Sequence, residues 1–191
     1  MTANREGQPV PEVTFHTRKG AEWVDRTSKE IFANRTVIVF SLPGAFTPTC
    51  SSTHVPRYNQ FAPAFRRAGV DEIICVAVND PFALKAWGEA TGAAAAGITL
   101  LGDSDGAFTR TLGMAFDAPA IGLFGRSNRY AAIVDDGVPL FESGKYSACT
   151  ATMQFMRVRS MQTPPRMARK CPSTELPAPK GMTGTRCWRQ R

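Results

Sequence analysis

Ser41-Leu42-Pro43-Gly44-Ala45-Phe46-Thr47-Pro48-Thr49-Cys50-Ser51 joins two stretches of different periodicity, and that junction decides the fold. Before it, residues 36–40 (TVIVF) are a continuous apolar, β-branched run of the kind found in a strand buried on both faces. After it, residues 51–67 place Val55, Tyr58, Phe61, Ala62 and Phe65 at helical spacing. The junction therefore predicts a strand-to-helix turn. Thr47 is a good N-cap, and Pro48 then falls at the first helical position, where its missing N–H costs nothing. Cys50 becomes the third helical residue, the place from which the glutamate of a capping box reaches back to the free N–H groups of the helix start. A thiolate there meets unpaired backbone donors and the positive end of the helix dipole. A free cysteine is otherwise commonly a small buried apolar residue. Here Thr47, Thr49, Ser51 and Ser52 give Cys50 polar surroundings at a cap, and the reading preferred is a nucleophile on a turn.

Working outward, residues 13–17 alternate and predict an edge strand, with a turn at Lys19-Gly20 and residues 22–25 as its returning partner. Thr27 or Ser28 caps a short helix over 29–33. Ala68-Gly69 ends the helix that follows Cys50, and residues 72–78 form a second continuous apolar strand. Asn79-Asp80-Pro81 caps a helix over 82–90, and residues 98–101 are a short strand. Asp103-Ser104-Asp105-Gly106 turns into a helix over 107–112 that Gly113 stops. Residues 129–135 and 138–141 flank Asp136-Gly137, a strong hairpin signal. Strands that alternate with helices and close on a hairpin predict the α/β class. The expected architecture is a mixed central sheet, parallel in part and antiparallel in part, with helices on both faces.

The 191 residues are enough for one domain with a good core, and the body and the end of the chain differ in charge. Residues 1–145 hold 14 Lys and Arg against 15 Asp and Glu, net −1; residues 146–191 hold 9 against 1, net +8. The division expected is a domain over 1–150 followed by a basic, Pro-rich tail over 151–191. That tail carries Pro164-Pro165, Pro172, Pro177 and Pro179 with no sustained apolar period, a composition expected to stay disordered. No apolar run approaches a membrane span, and the polar start, residues 1–11, reads as neither a signal nor a transit peptide. The five cysteines, Cys50, Cys75, Cys149, Cys171 and Cys187, are odd in number and widely spaced, with no C-x-x-C. This argues against a disulfide scaffold, a zinc site or a thioredoxin-type dithiol, and fits a reducing, cytoplasmic location, with an organelle left open. Neither a metal nor a cofactor is expected. Basic residues beside Trp188 are read as tail rather than as a nucleic-acid site.

Pro43, Thr47 and Cys50 reproduce the spacing P-x-x-x-T-x-x-C, and in this the chain resembles the peroxiredoxins. The longer run PGAFTPTCSSTHVPRY is similar to the type-five subfamily, which includes atypical two-cysteine enzymes and the peroxiredoxin part of peroxiredoxin–glutaredoxin fusions. Val76-Ala77-Val78-Asn79-Asp80, Ala86-Trp87, residues 101–108 and Arg129-Tyr130 agree in order and spacing, so that the likeness runs from about Gly7 to Val138. The resemblance implies a thioredoxin-like fold and a thiol-dependent peroxidase acting on hydrogen peroxide and alkyl hydroperoxides. It implies Cys50 as the attacking sulfur, oxidised to a sulfenic acid, with Thr47 bonding sulfur and peroxide and Pro43 shielding the sulfur. It assigns the cation to Arg129; on its own the sequence reads Arg129 as a solvated arginine at a strand start, with Arg126 the neighbouring alternative.

Other readings fill in the site. His54 lies one helical turn after Cys50 and is read as satisfying local polar groups rather than as half of a protease dyad. Cys75, inside a strand, is read as core. Cys149 lies in about the right region to be a resolving cysteine, but Tyr146-Ser147-Ala148-Cys149-Thr150 does not match a resolving motif. The resemblance otherwise implies recycling of Cys50 by an external thiol, glutathione with glutaredoxin or thioredoxin, and a homodimer. The alternative from another class is a redox-sensing or holdase-like protein with a reactive cysteine and poor turnover.

Overall fold

The computed structural model describes residues 7–144. The expected tail over 151–191 and Cys149 lie outside these residues. In chain order the described elements are β1 (Thr14–Lys19), β2 (Glu22–Thr27), α1 (Ser28–Phe32), β3 (Thr36–Ser41), α2 (Val55–Arg67), β4 (Glu72–Ala77) and α3 (Pro81–Ala90). They continue as β5 (Ile98–Gly102), α4 (Ala107–Thr111), β6 (Ala115–Ala118), β7 (Leu123–Ser127), β8 (Tyr130–Asp135) and β9 (Val138–Gly144). The main sheet runs β2-β1-β5-β4-β3-β8-β9. β3 with β4 and β4 with β5 are parallel; the other pairs are antiparallel, so the sheet is mixed as expected. β6 and β7 form a separate two-stranded sheet.

The apolar run of β3 is explained by what covers it. Ile38 and Phe40 join a core with Ile73 and Cys75 of β4, Tyr58 and Phe65 of α2, and Leu84 and Trp87 of α3. Val37 and Val39 point to the other face, where Ile74, Val76, Ile31 and Phe32 of α1 and Phe108 of α4 meet them. A strand with helices on both sides must be apolar at every position, because its alternating side chains enter two different cores. The read helix starts hold up in detail. Thr27 and Glu30 form a reciprocal capping box on α1, and Asp80 accepts from the Phe82 and Ala83 N–H groups at the start of α3.

The helix after Cys50 is less regular than its spacing suggests. Thr47 does take the N-cap place by its backbone, since its carbonyl accepts from Ser51 N–H at 3.0 Å. Residues Cys50–His54 then form a π turn, in which Val55 N–H bonds the Cys50 carbonyl five residues back. Pro56 has no N–H to offer the Ser52 carbonyl, so the ordinary four-residue ladder is interrupted here and the turn widens. Trp87 ties this turn down from α3, its indole N–H donating to Ser51 Oγ at 2.9 Å. The β6–β7 hairpin is an element that the spacing had not indicated.

Candidate active site

Cys50 sits beyond the ends of the two central parallel strands, the usual place for a site on an α/β sheet. β3 delivers the chain through Leu42 and Pro43 into the turn before it, and β4 ends beside that turn at Ala77. Cys50 belongs to the core that α2 and α3 cover, and the residue as a whole is 1% exposed. Phe40 and Tyr58 belong to the same core and stack at 3.8 Å between centroids, and the His54 ring lies edge-on to both at 5.5 Å.

The cation comes from 79 residues further along the sequence. β8 pairs antiparallel with β3 in a register that sets Tyr130 opposite Ser41. Arg129, one residue before β8, is therefore carried to the level of the Pro43–Cys50 turn. The preceding kink is fixed by Asn128, whose N–H and side-chain amide both donate to the Met114 carbonyl. The guanidinium then forks. Nη2 donates to Cys50 Sγ at 3.4 Å, and Nη1 lies 2.6 Å from His54 Nδ1. Arg129 stands just outside the strand rather than within it, a shift of one residue from the sequence expectation.

His54 does more than satisfy local groups. Burial, and then the Arg129 charge, lower its pKa from 6.5 to about 4. The ring is neutral near neutrality, so Nδ1 carries a lone pair and accepts from Arg129. A neutral acceptor on one arm of the fork orients the guanidinium without taking its charge away from the sulfur on the other arm. The signal available in the sequence was the four-residue spacing from Cys50, but not the partner, which lies 75 residues away.

Thr47 also departs from expectation. Its hydroxyl does not cap the helix; it donates to the Gly44 carbonyl at 2.8 Å. Because a carbonyl can only accept, the hydroxyl hydrogen is committed inward and the remaining lone pairs are left to accept. Pro43 is half-buried in the turn leaving β3. Arg126, the alternative cation, is not at the sulfur: it lies against Gly44 and donates to the Val78 carbonyl at 2.9 Å. Cys75 is fully buried in β4, where burial pushes its thiol up. Neither Cys50 nor Cys75 is in a disulfide, and no cluster of metal-ligating side chains occurs among the described residues.

The Redoxin family profile matches residues 5–140. The chain is a peroxiredoxin. It is 51% identical over 136 residues to the hybrid peroxiredoxin hyPrx5 of Haemophilus influenzae, a match that spans 71% of this chain and 56% of that longer protein. It is 46% identical over 137 residues to peroxiredoxin sll1621 of Synechocystis, covering 67% and 71% of the two chains. Among solved structures, reduced Prx3 of Vibrio vulnificus in complex with hydrogen peroxide superposes with a TM-score of 0.69 at 41% identity, over 76% of this chain and 89% of that one. Peroxiredoxin 5 of Alvinella pompejana gives 0.74 at 30% identity, over 82% and 99%. These neighbours have the thioredoxin fold, in agreement with the mixed sheet and two helical layers described above. This peroxiredoxin is thus an enzyme, in kind a thiol-dependent peroxidase. No helix among its described residues is long and apolar enough to cross a membrane.

Proposed function

We propose that the chain reduces hydrogen peroxide and small alkyl hydroperoxides at Cys50, with Arg129, Thr47 and Pro43 completing the site. The contact between the Arg129 guanidinium and the Cys50 sulfur at 3.4 Å carries this reading. The thiolate attacks one peroxide oxygen; a sulfur–oxygen bond forms, the oxygen–oxygen bond breaks, and the sulfur is oxidised to a sulfenic acid. The other oxygen leaves with the electron pair and takes up the proton released by the thiol, giving water or an alcohol. Two negative centres must be stabilised along this path, the ionised sulfur and then the leaving oxygen. A guanidinium already fixed beside the first is close to where the second develops, so no reorganisation is needed as the charge moves. Thr47, with its own hydrogen held by Gly44, accepts from the O–H of the peroxide and orients it. Pro43 shields the sulfur from bulk water.

The sulfenic acid is returned by thiols. One thiol condenses with it, releasing water and leaving a mixed disulfide, and a second thiol exchanges with that disulfide to free Cys50. Glutathione with glutaredoxin, or thioredoxin, supplies these thiols in the cytoplasm, acting on Cys50 directly in a homodimeric enzyme. Cys149 is the candidate for an internal resolving role. Donor-dependent peroxide consumption tests the whole scheme. Cys50→Ser abolishes turnover, Cys75→Ser does not, and Cys149→Ser keeps turnover with an external donor. Equal loss on replacing Cys50 or Cys75 refutes the assignment, and a single fast oxidation with no donor able to reverse it favours the redox-sensing alternative.

A further inference from the structure

Two side chains outside the catalytic set, Asn79 and Arg126, approach Gly44 on the same side. Asn79, just past β4, accepts from Ala45 N–H through Oδ1 at 3.0 Å. Arg126, on β7, donates from Nη1 to the carbonyl of Val78, the residue before Asn79, at 2.9 Å. Both side chains crowd the Gly44 backbone. A Cβ built on Gly44 would stand 2.8 Å from Arg126 Nη1 and 3.1 Å from Asn79 Oδ1, so a side chain there would displace the guanidinium from its present place. Ser104 Oγ adds a hydrogen bond to the Asn79 carbonyl at 3.1 Å, which steadies the same segment.

The geometry of a trans peptide turns this into a statement about Thr47. Ala45 N–H and Gly44 C=O belong to one rigid plane and point to opposite edges of it. Asn79 holds the N–H edge, and the C=O edge receives the Thr47 hydroxyl at 2.8 Å. Rotation of the plane would release both bonds together. We propose that Asn79 and Arg126 are positioning residues for the peroxide: by clamping the Gly44–Ala45 peptide they commit the Thr47 hydroxyl hydrogen inward and keep its lone pairs for the substrate. This rests on Cys50 being the peroxidatic sulfur and Thr47 its partner, but assigns work to residues outside that set. Arg126 is thereby separated from Arg129. One arginine serves the sulfur, and the other serves the loop that presents Thr47.

A double-mutant cycle tests the inference, with stopped-flow measurement of the bimolecular reaction of hydrogen peroxide with the reduced full-length chain. Asn79→Ala, Arg126→Gln and Gly44→Ala are each made alone and with Thr47→Val, and circular dichroism confirms folding. Each single variant is expected to slow the reaction by about tenfold, the loss of one oriented hydrogen bond in the transition state. In the Thr47→Val background each is expected to add less than about threefold, because residues that act through one another are not additive. Alkylation of Cys50 by iodoacetamide, which needs the thiolate but not Thr47, is expected to stay unchanged in the single variants. Losses that multiply with Thr47→Val, or alkylation that falls in parallel with peroxide reduction, overturn the inference. Should one variant fail to fold, the cycle with the remaining two decides. A wild type without any fast peroxide reaction removes the peroxidase reading itself, whereas a fast wild type with additive variants removes only the clamp.

Discussion

Neutral His54 buried against a guanidinium should make the protein sensitive to acid in a way that one substitution removes. The folded ring has its pKa lowered from 6.5 to about 4, by burial first and by Arg129 second. As pH falls below 6.5, the unfolded chain binds a proton that the folded chain refuses, so stability declines until the folded value is reached and then levels off. The full span is worth about 3 kcal/mol, and at about pH 4.5 about 2 kcal/mol of it has been lost relative to neutrality. His54→Gln keeps an acceptor for Arg129 Nη1 and cannot titrate. Urea unfolding followed at about pH 7 and about pH 4.5 should therefore show the wild type losing about 2–3 kcal/mol more than the variant. Glu72 also loses stabilisation in acid. Burial would raise its carboxyl, but hydrogen bonds from Arg26 and Thr99 more than offset that and hold it low. That contribution is common to both proteins and cancels in the difference. Equal acid losses in wild type and His54→Gln would refute the neutral, buried histidine and with it the account of how Arg129 is oriented.

Arg129→Lys leaves one nitrogen to serve both His54 Nδ1 and Cys50 Sγ, and the rate of peroxide reduction should fall by about a hundredfold with little change in melting temperature. Ser51→Ala strands the fully buried Trp87 indole N–H and should lower stability by about 1–3 kcal/mol in denaturant titration. Thr47→Ser keeps a hydroxyl for the Gly44 carbonyl and should retain most of the rate, whereas Thr47→Val should lose about tenfold or more in the same stopped-flow assay.

The parts of the fold legible in the sequence are those whose cause is local. Residues 36–40 are apolar at every position because both faces of β3 are covered, and Asp136-Gly137 carries the positive φ values that its turn needs. The β6–β7 hairpin was not legible. Its strands, Ala115–Ala118 and Leu123–Ser127, are short and half-exposed, and Gly122 and Gly125, both at positive φ, break any alternation. Of the site, the Cys50 turn follows from neighbouring residues, while its π turn depends on Pro56, whose effect is on a carbonyl four residues earlier. The forked contact of Arg129 follows from the pairing of β8 with β3, set by register across the sheet. A single sequence marks Arg129 only as an arginine at a strand start; the resemblance singled it out, and the sheet explains why it arrives at the sulfur. The inward turn of the Thr47 hydroxyl has the same origin, since the Gly44–Ala45 peptide is held at Ala45 N–H by Asn79, more than thirty residues away.

The central claim is that peroxide meets the protein at one sulfur, held at the opening of the helix and faced by Arg129. Full-length reduced protein, given one equivalent of hydrogen peroxide with a sulfenic-acid trap present, can be digested and mapped by mass spectrometry. The account predicts the adduct on Cys50 alone among the five cysteines, and its loss in Cys50→Ser. An adduct formed first on Cys75 or Cys149, or none on Cys50 while peroxide is consumed, would contradict it.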